Sequence, residues 1–395
     1  MKKISDNSGI KNIVFLGLVS MFADISSEMV YPVIPLYLVA VFGATPALVG
    51  VIEGIAESLA SLLKVYSGYI TDRYSHRKHV AFIGYASGLI YKIALIFASS
   101  WAGILFARVI DRTGKGVRTS PRDALISASA DRNSAGTAFG IHKALDKAGS
   151  AIGILLAYFI MTGSAAGYDY KMLFMLSMIP AAIALFVMAP VNEISSAAKP
   201  APREKFWKKF RNLDSNLKLY LIVCFLFTLG NSSNAFLLLK AQNTGFSDTD
   251  VILLYFLYSA SAALFSLPFG RLSDRIGRKK VLVAGYITFG AVYFSFAFSE
   301  AHIVIIMTFF VYGLFAAMTV GVERAFVSDI APSELKGTML GLQATVAGIA
   351  LLPASVITGL IWTASGPAAA FSFGAVLSLA AAVILMLFLK TPEKE

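Results

Sequence analysis

Ionisable side chains set inside long apolar runs are the residues of this chain that can do chemistry. Asp24 and Glu28 are four residues apart and share one face of a helix. Arg108, Asp111, Arg112, Lys115, Arg118, Arg122 and Asp123 fall within about 140° of a helical wheel, a stripe rather than a scatter. His142, Lys143, Asp146 and Lys147 follow in the next run, and Glu53, Glu57 and Lys64 share an arc of an earlier one. The second half offers fewer polar groups: Asn231, Asn234, Lys240, Glu323 and Arg324. Charge is costly inside hydrocarbon, so residues of this kind usually line a pathway. The chemistry they allow is reversible protonation and the holding of a polar solute.

Other chemistries lack their residues. There is no nucleophile–histidine–acid set and no GxxxxGK[ST] loop, and Gly114-Lys115-Gly116 is too short a match. An enzyme and an ATP-driven pump are therefore not expected. The four histidines make no zinc spacing, and the single cysteine, Cys224, sits in an apolar run. No cofactor or resident metal is expected. Movement of a divalent metal through Asp24 and Glu28 stays as a lesser alternative, resting on carboxylate ligands.

The elements that must position these groups are spanning helices. Of 395 residues, 57% are apolar and 14% charged, against about 25% charged in soluble domains. Apolar runs of about 20 residues, enough to cross a core of roughly 30 Å, recur along the chain. Twelve are read, the first over 13–38, the second over 46–70, the fourth over 101–127, the fifth over 136–160, the seventh over 217–241 and the tenth over 302–327. The expected fold is an all-α integral membrane protein of two pseudo-symmetric six-helix bundles. The bundles occupy 1–191 and 217–395, with a basic cytoplasmic linker over 192–216. Pro32 and Pro35 predict a bend or break just beyond Glu28. The first run lacks a small-residue cleavage site and is read as a spanning helix, not a signal.

Charge sets the expected orientation. Lys2, Lys3 and Lys11 precede the first span, six basic residues fill 199–211, and Arg271, Arg275, Arg278, Lys279 and Lys280 follow the eighth span. The opposite loops near 43–45, 161–168 and 361–368 carry no lysine or arginine. Both termini should thus be cytoplasmic, in a bacterial inner membrane. The same rule accounts for the net charge of +11, so no nucleic-acid partner is expected.

One turn is written twice. Gly68-Tyr-Ile-Thr-Asp72-Arg73-Tyr-Ser-His76-Arg77-Lys78 joins the second and third spans. Gly270-Arg-Leu-Ser-Asp274-Arg275-Ile-Gly277-Arg278-Lys279 stands about 200 residues later. A fainter pair, Ala124 through Gly140 and Ala325 through Gly341, aligns without a gap. Duplicated halves around a central site are the usual plan of a secondary transporter.

On these motifs the chain resembles the major facilitator superfamily over essentially its whole length. The resemblance implies alternating access between two halves, with the repeated turn acting as a latch. Gating would fall to Gly68, Asp72, Arg73, Arg77, Asp123, Gly270, Asp274, Arg275 and Arg278. Arg112-Thr-Gly-Lys-Gly116 is similar to the family's Arg-x-x-x-Gly pattern, which is associated with proton coupling, although Arg108 competes for that role. The fifth span lacks the Gly-Pro pair of drug–proton antiporters, so the likeness to that group is partial. Arg118-Thr-Ser-Pro121-Arg122-Asp123 resembles a branch of bacterial members that adds no substrate.

The expected function is proton-coupled transport of a small organic solute, with export by proton antiport as the leading direction. Import of an anionic solute by symport is the alternative. Asp24, Glu28 and Arg112 are the coupling candidates. Arg108, Lys115, His142, Lys143, Asp146, Lys147, Asn231, Asn234, Lys240, Glu323 and Arg324 are the candidates to line a substrate cavity. Protons, the solute and membrane lipid are the expected partners, and the chain is expected to be a monomer.

Overall fold

Several helices here begin where a side chain supplies a free backbone N–H with an acceptor. Ser100 accepts from the Gly103 N–H at 3.3 Å, Asp169 from Met172 at 2.9 Å and Asp214 from Asn216 at 3.1 Å. A computed structural model describes residues 7–73, 76–130, 135–163, 169–193, 213–331 and 336–390. Within these, the side chains at 7, 8, 68–73, 135, 337 and 338 are outside the description. The regular elements among the described residues are all helical. The first seven are α1 (Asn7–Val30), α2 (Ile34–Phe42), α3 (Pro46–Arg73), α4 (Arg77–Phe97), α5 (Trp101–Ser129), α6 (Ala135–Thr162) and α7 (Tyr170–Met188). They are followed by α8 (Ser215–Gly230), α9 (Ala235–Asn243), α10 (Asp248–Ile276), α11 (Arg278–Phe298), α12 (His302–Ile330) and α13 (Lys336–Phe388). Most of the expected 192–216 linker, residues 194–212, lies outside the described residues.

The outer surface suits lipid rather than water. Phe97 is 80% exposed and Phe186 79% exposed, and Leu264 and Phe298 also face outward. Large apolar side chains in such number would mark a docking surface on a soluble protein. Among the described residues, nine stretches are long and apolar enough to cross a membrane. The difference from the expected twelve has two sources. Helices α3 and α5 have 28 and 29 residues but fall outside the nine, because charged side chains interrupt their apolar character. The stretch Met339–Phe388 counts once, though its 50 residues would reach about 75 Å, more than two crossings. Within it Gly366 leaves the helical conformation, at φ 84° and ψ 172°, just before Pro367.

The chain forms two compact units. The first contains Met1–Ala44, Leu59–Pro200 and Asp248–Leu253; the second contains Thr45–Ser58, Ala201–Ser247 and Leu254–Glu395. Helices α3 and α10 are therefore each divided between units. In the first unit α1 packs on α6 and α7, and α4 on α5 and α7. Its core includes Ile13, Leu16 and Val19 of α1, Tyr85 of α4, Leu125 of α5 and Met188 of α7. The first turn of α10 is held there by Tyr170, whose hydroxyl donates to Asp248 at 2.6 Å. In the second unit α8 and α11 pack on α13, and α11 on α12. Lipid gives helices no hydrophobic reason to associate, so close packing and hydrogen bonds must hold these bundles together.

The duplication is visible in packing detail. A Cβ on Gly84 would fall 2.6 Å from Arg118 Cβ, and a Cβ on Gly285 2.7 Å from Thr319 Cγ2. These two α4–α5 and α11–α12 approaches stand at the same offset as the repeated sequence. Both halves also break their first span. Helix α1 ends at Val30 and α2 starts at Ile34, across Pro32, as its missing N–H requires. The seventh span was expected to be continuous over 217–241, yet α8 ends at Gly230 and α9 begins at Ala235. No proline is present in that gap. Asn and Ser side chains compete for the backbone instead: the Ser233 N–H donates to Ser355 Oγ at 3.2 Å, and Ala235 N–H to Ser233 Oγ at 3.3 Å.

Candidate transport site

In the first unit, glycine spacing decides which charges meet. A Cβ on Gly149 or Gly153 would collide with the carbonyl oxygens of Met21 and Ile25. With hydrogen in its place, α6 lies directly on α1. That approach brings Asp146 against Asp24, with their carboxyl groups within hydrogen-bonding reach. The Ser150 hydroxyl donates to Asp24 Oδ2 at 3.4 Å, and Lys143 Nζ to Asp146 Oδ2 at 2.5 Å. Glu28 and Lys115 lie within electrostatic reach of Asp24. Lys143 and Lys147 are exposed, whereas Asp146 is buried.

One helical turn away, His142 Nε2 is 2.8 Å from Ser20 Oγ, which is 3.0 Å from the Tyr85 hydroxyl. The guanidinium of Arg118 lies over the Tyr85 ring, 4.6 Å from its centre. Both Ser20 and Tyr85 were absent from the expected set, since neither carries charge.

The stripe on α5 is turned inward over much of its length. Arg108, Asp111, Arg112 and Arg118 are all buried. Asp111 Oδ2 sits 3.8 Å from Arg108 Nη1 and 3.6 Å from Arg112 Nε. Tyr31, in the break between α1 and α2, presents its ring to both guanidinium groups, at 5.5 and 5.3 Å. The coupling candidates thus divide: Asp24 is drawn to Asp146, while contacts of Arg112 include Asp111 and Tyr31. Lys92 on α4 was also missed. It is 1% exposed, and its ammonium lies 4.8 Å from the centre of the Tyr91 ring.

The second unit is aromatic with a few polar groups. Asn234 Oδ1, at the break before α9, accepts from the Tyr312 hydroxyl at 2.8 Å. Asn231 ends α8, its N–H donating to the carbonyls of Phe227 and Thr228. Glu323 accepts from the Tyr286 hydroxyl at 3.0 Å and from Gln343 Nε2 at 3.5 Å. Gln343 also donates to the Tyr220 hydroxyl, and Phe227 stacks on Tyr286 with centres 3.8 Å apart. Arg324 is exposed. Lys240 is buried near the end of α9, within reach of Glu300. Glu53, from the first half of α3, accepts from the Ser233 hydroxyl at 3.4 Å.

Of the gating candidates, the side chains of Gly68, Asp72 and Arg73 lie outside the described residues. Glu193, unforeseen from sequence, accepts from the Arg77 and Lys78 N–H groups at 2.8 and 2.7 Å and so closes the start of α4. Asp123 pairs with Arg122 at 2.8 Å. In the second copy Arg278 reaches Asp274 at 3.3 Å, Asp329 at 2.7 Å and the Ala325 carbonyl at 2.6 Å. Arg275 is exposed, and a Cβ on Gly270 would meet nothing within 4 Å. Among the described residues, no group of three or more His, Cys, Asp or Glu side chains is placed to hold a metal ion.

Comparison with known proteins agrees with this architecture. The profile described as Major Facilitator Superfamily matches residues 16–239 and 219–395. A protein of Methanocaldococcus jannaschii, named an uncharacterized MFS-type transporter, is 35% identical over 391 residues, covering 97% of this chain and 96% of its own. The fosmidomycin resistance protein of Escherichia coli is 25% identical over 284 residues, 68% of this chain and 66% of its own. A crystal structure of a nucleoside transporter shares the fold, with a TM-score of 0.82 at 15% identity over 96% of this chain and 100% of that one. This is the fold of transporters and not of a catalytic enzyme.

Proposed function

Because the chain belongs to the major facilitator superfamily, we propose that it exports a small organic solute in exchange for protons. Secondary transport of a small solute by alternating access follows from the family and fold. Proton coupling rests on one observation, the contact between the carboxyl groups of Asp24 and Asp146. Two carboxyl groups within hydrogen-bonding reach can share one proton between them. With both ionised at about 4 Å, repulsion is about 4 kcal/mol at an effective dielectric of 20. The geometry and the proton are thus tied together, and the exposed Lys143 can compensate whichever charge remains. The outward direction is supported by the Escherichia coli relative, which is named as a resistance protein.

The proposal extends to topology. Joining α1 to α2 and α8 to α9, and dividing α13 at Gly366, gives twelve spans in two halves, 1–191 and 217–395. Both termini are then cytoplasmic in a bacterial inner membrane, by the lysine and arginine bias. The Gly68–Lys78 and Gly270–Lys279 turns serve as gates at the cytoplasmic ends.

Proteoliposomes with an imposed pH gradient test this reading when solute flux and internal pH are followed together. Solute exit should accompany proton entry. Solute flux with no proton movement at any imposed gradient would refute the coupling.

A further inference from the structure

Lys92 sits about four turns into α4, where a lysine is hard to explain as packing alone. It is 1% exposed. Among the described residues no hydrogen bond and no ion pair within 4 Å reaches its ammonium; its contact is the face of Tyr91, at 4.8 Å. Arg118 on α5 is similar. It is 7% exposed, stacked on Tyr85 at 4.6 Å, and no hydrogen bond to its guanidinium is formed among the described residues. A buried charge without a hydrogen-bonded counter-charge is costly.

The surroundings add to the positive charge. Arg108, Arg112 and Arg118 all lie within electrostatic reach of Lys92, as does Asp111. Asp111 is itself held by Arg108 and Arg112, at 3.8 and 3.6 Å. Beside Gly88, on the side that faces Arg118, the structure leaves room for at least a methyl group. Gly88 is one turn before Lys92 on the same face of α4. A Cβ built on Gly88 would meet nothing nearer than Arg118 Nη1, at 4.0 Å. The Arg118 guanidinium lies over the Tyr85 ring, and its N–H groups, engaged by no hydrogen bond among the described residues, are of the kind that match an oxyanion.

We propose that Lys92 and Arg118, with Gly88 between them, hold the carboxylate, sulfonate or phosphonate group of a small organic anion. The site rests on the transport reading above and names the class of its solute. Binding is read in detergent without flux, so a failure here leaves proton coupling untested, and a failure of coupling leaves this site standing.

Isothermal titration at fixed ionic strength tests it with acetate, benzoate and phenylphosphonate against the neutral acetamide and benzamide. At least one acid should bind about tenfold or more tighter than the amides. Lys92→Met and Arg118→Gln should each lose about that factor, and Lys92→Arg should keep binding within a few-fold. Gly88→Leu, which fills the space and removes no charge, should also lose it. The proposal is overturned if no acid outbinds the amides. It is equally overturned if Lys92→Met, or Gly88→Leu where the former does not fold, binds the acids as the wild type does.

Discussion

The carboxyl group of Asp24 meets that of Asp146 only because Gly149 and Gly153 draw α6 onto the backbone of α1. Two kinds of substitution separate the chemistry from the packing that creates it. Asp24→Asn and Asp146→Asn keep the shape and remove the titrating group. Each should abolish accumulation driven by a pH gradient while solute exchange without net proton movement continues. Parallel flux and internal-pH traces check this, and wild-type proton stoichiometry in both variants would exclude the pair as the coupling site.

Gly149→Val acts from the other side. Its side chain would strike the Met21 carbonyl, and overpacking of this kind costs about 1–3 kcal/mol. A lowered Tm and weakened coupling should appear together. Gly140→Ala is the control on the same helix, since a Cβ there meets nothing within 4 Å. It should leave both properties unchanged.

Much of this arrangement could be read before the fold was known. The paired turns, the break beyond Glu28 and the charged stripe of α5 all have local signals: a motif, a proline and a helical period. The Asp24–Asp146 contact has none, because it depends on two glycines of α6 facing one particular stretch of α1. The break after Gly230 was hidden for a related reason. Asn231, Ser232, Ser233 and Asn234 can sit in a helix, and the acceptor that meets the Ser233 N–H in the break comes from Ser355 of α13. Lys92 did carry a signal, an ionisable residue in an apolar run. Standing alone in its span, with no charged neighbour one turn away, it formed no pattern until α5 was placed beside it.

The second latch copy should tune rate rather than permit transport. Arg278 pairs with Asp274 and Asp329, both well exposed. Exposed ion pairs contribute about 0.2–1 kcal/mol each. Asp329→Asn should therefore change the balance between conformations, and with it turnover, by only a few-fold. Complete loss of transport in a folded Asp329→Asn protein would contradict this assignment. Turnover measured alongside equilibrium binding separates the two outcomes.

Topology can be tested on a clean background. The chain has one cysteine, Cys224, and it is buried. Single cysteines placed at 165 and at 205 in a Cys224→Ala chain should report opposite sides. Position 165 should react with an impermeant maleimide from outside intact cells, and position 205 only after the membrane is opened. Labelling of 205 from outside would reverse the orientation taken from the basic residues.

The last expectation joins the anion site to the direction of transport through charge counting. A monovalent anion leaving in exchange for one entering proton moves two unit charges in the same electrical sense. At about 2.3 kcal/mol per charge per 100 mV, an interior-negative potential of 100 mV adds about 4.6 kcal/mol to each cycle. A neutral solute exchanged for one proton would gain half of that. An anion carried inward with one proton would gain nothing, because the charges cancel. The three cases differ in the slope of reversal potential against solute gradient, measured in proteoliposomes under potassium diffusion potentials with the acid that binds best. The slope for two charges is expected in the wild type. In Asp24→Asn, where the proton is lost but Lys92 and Arg118 remain, the slope should fall to that of one charge. A wild-type cycle indifferent to potential would exclude anion-for-proton exchange and favour uptake of the anion together with a proton.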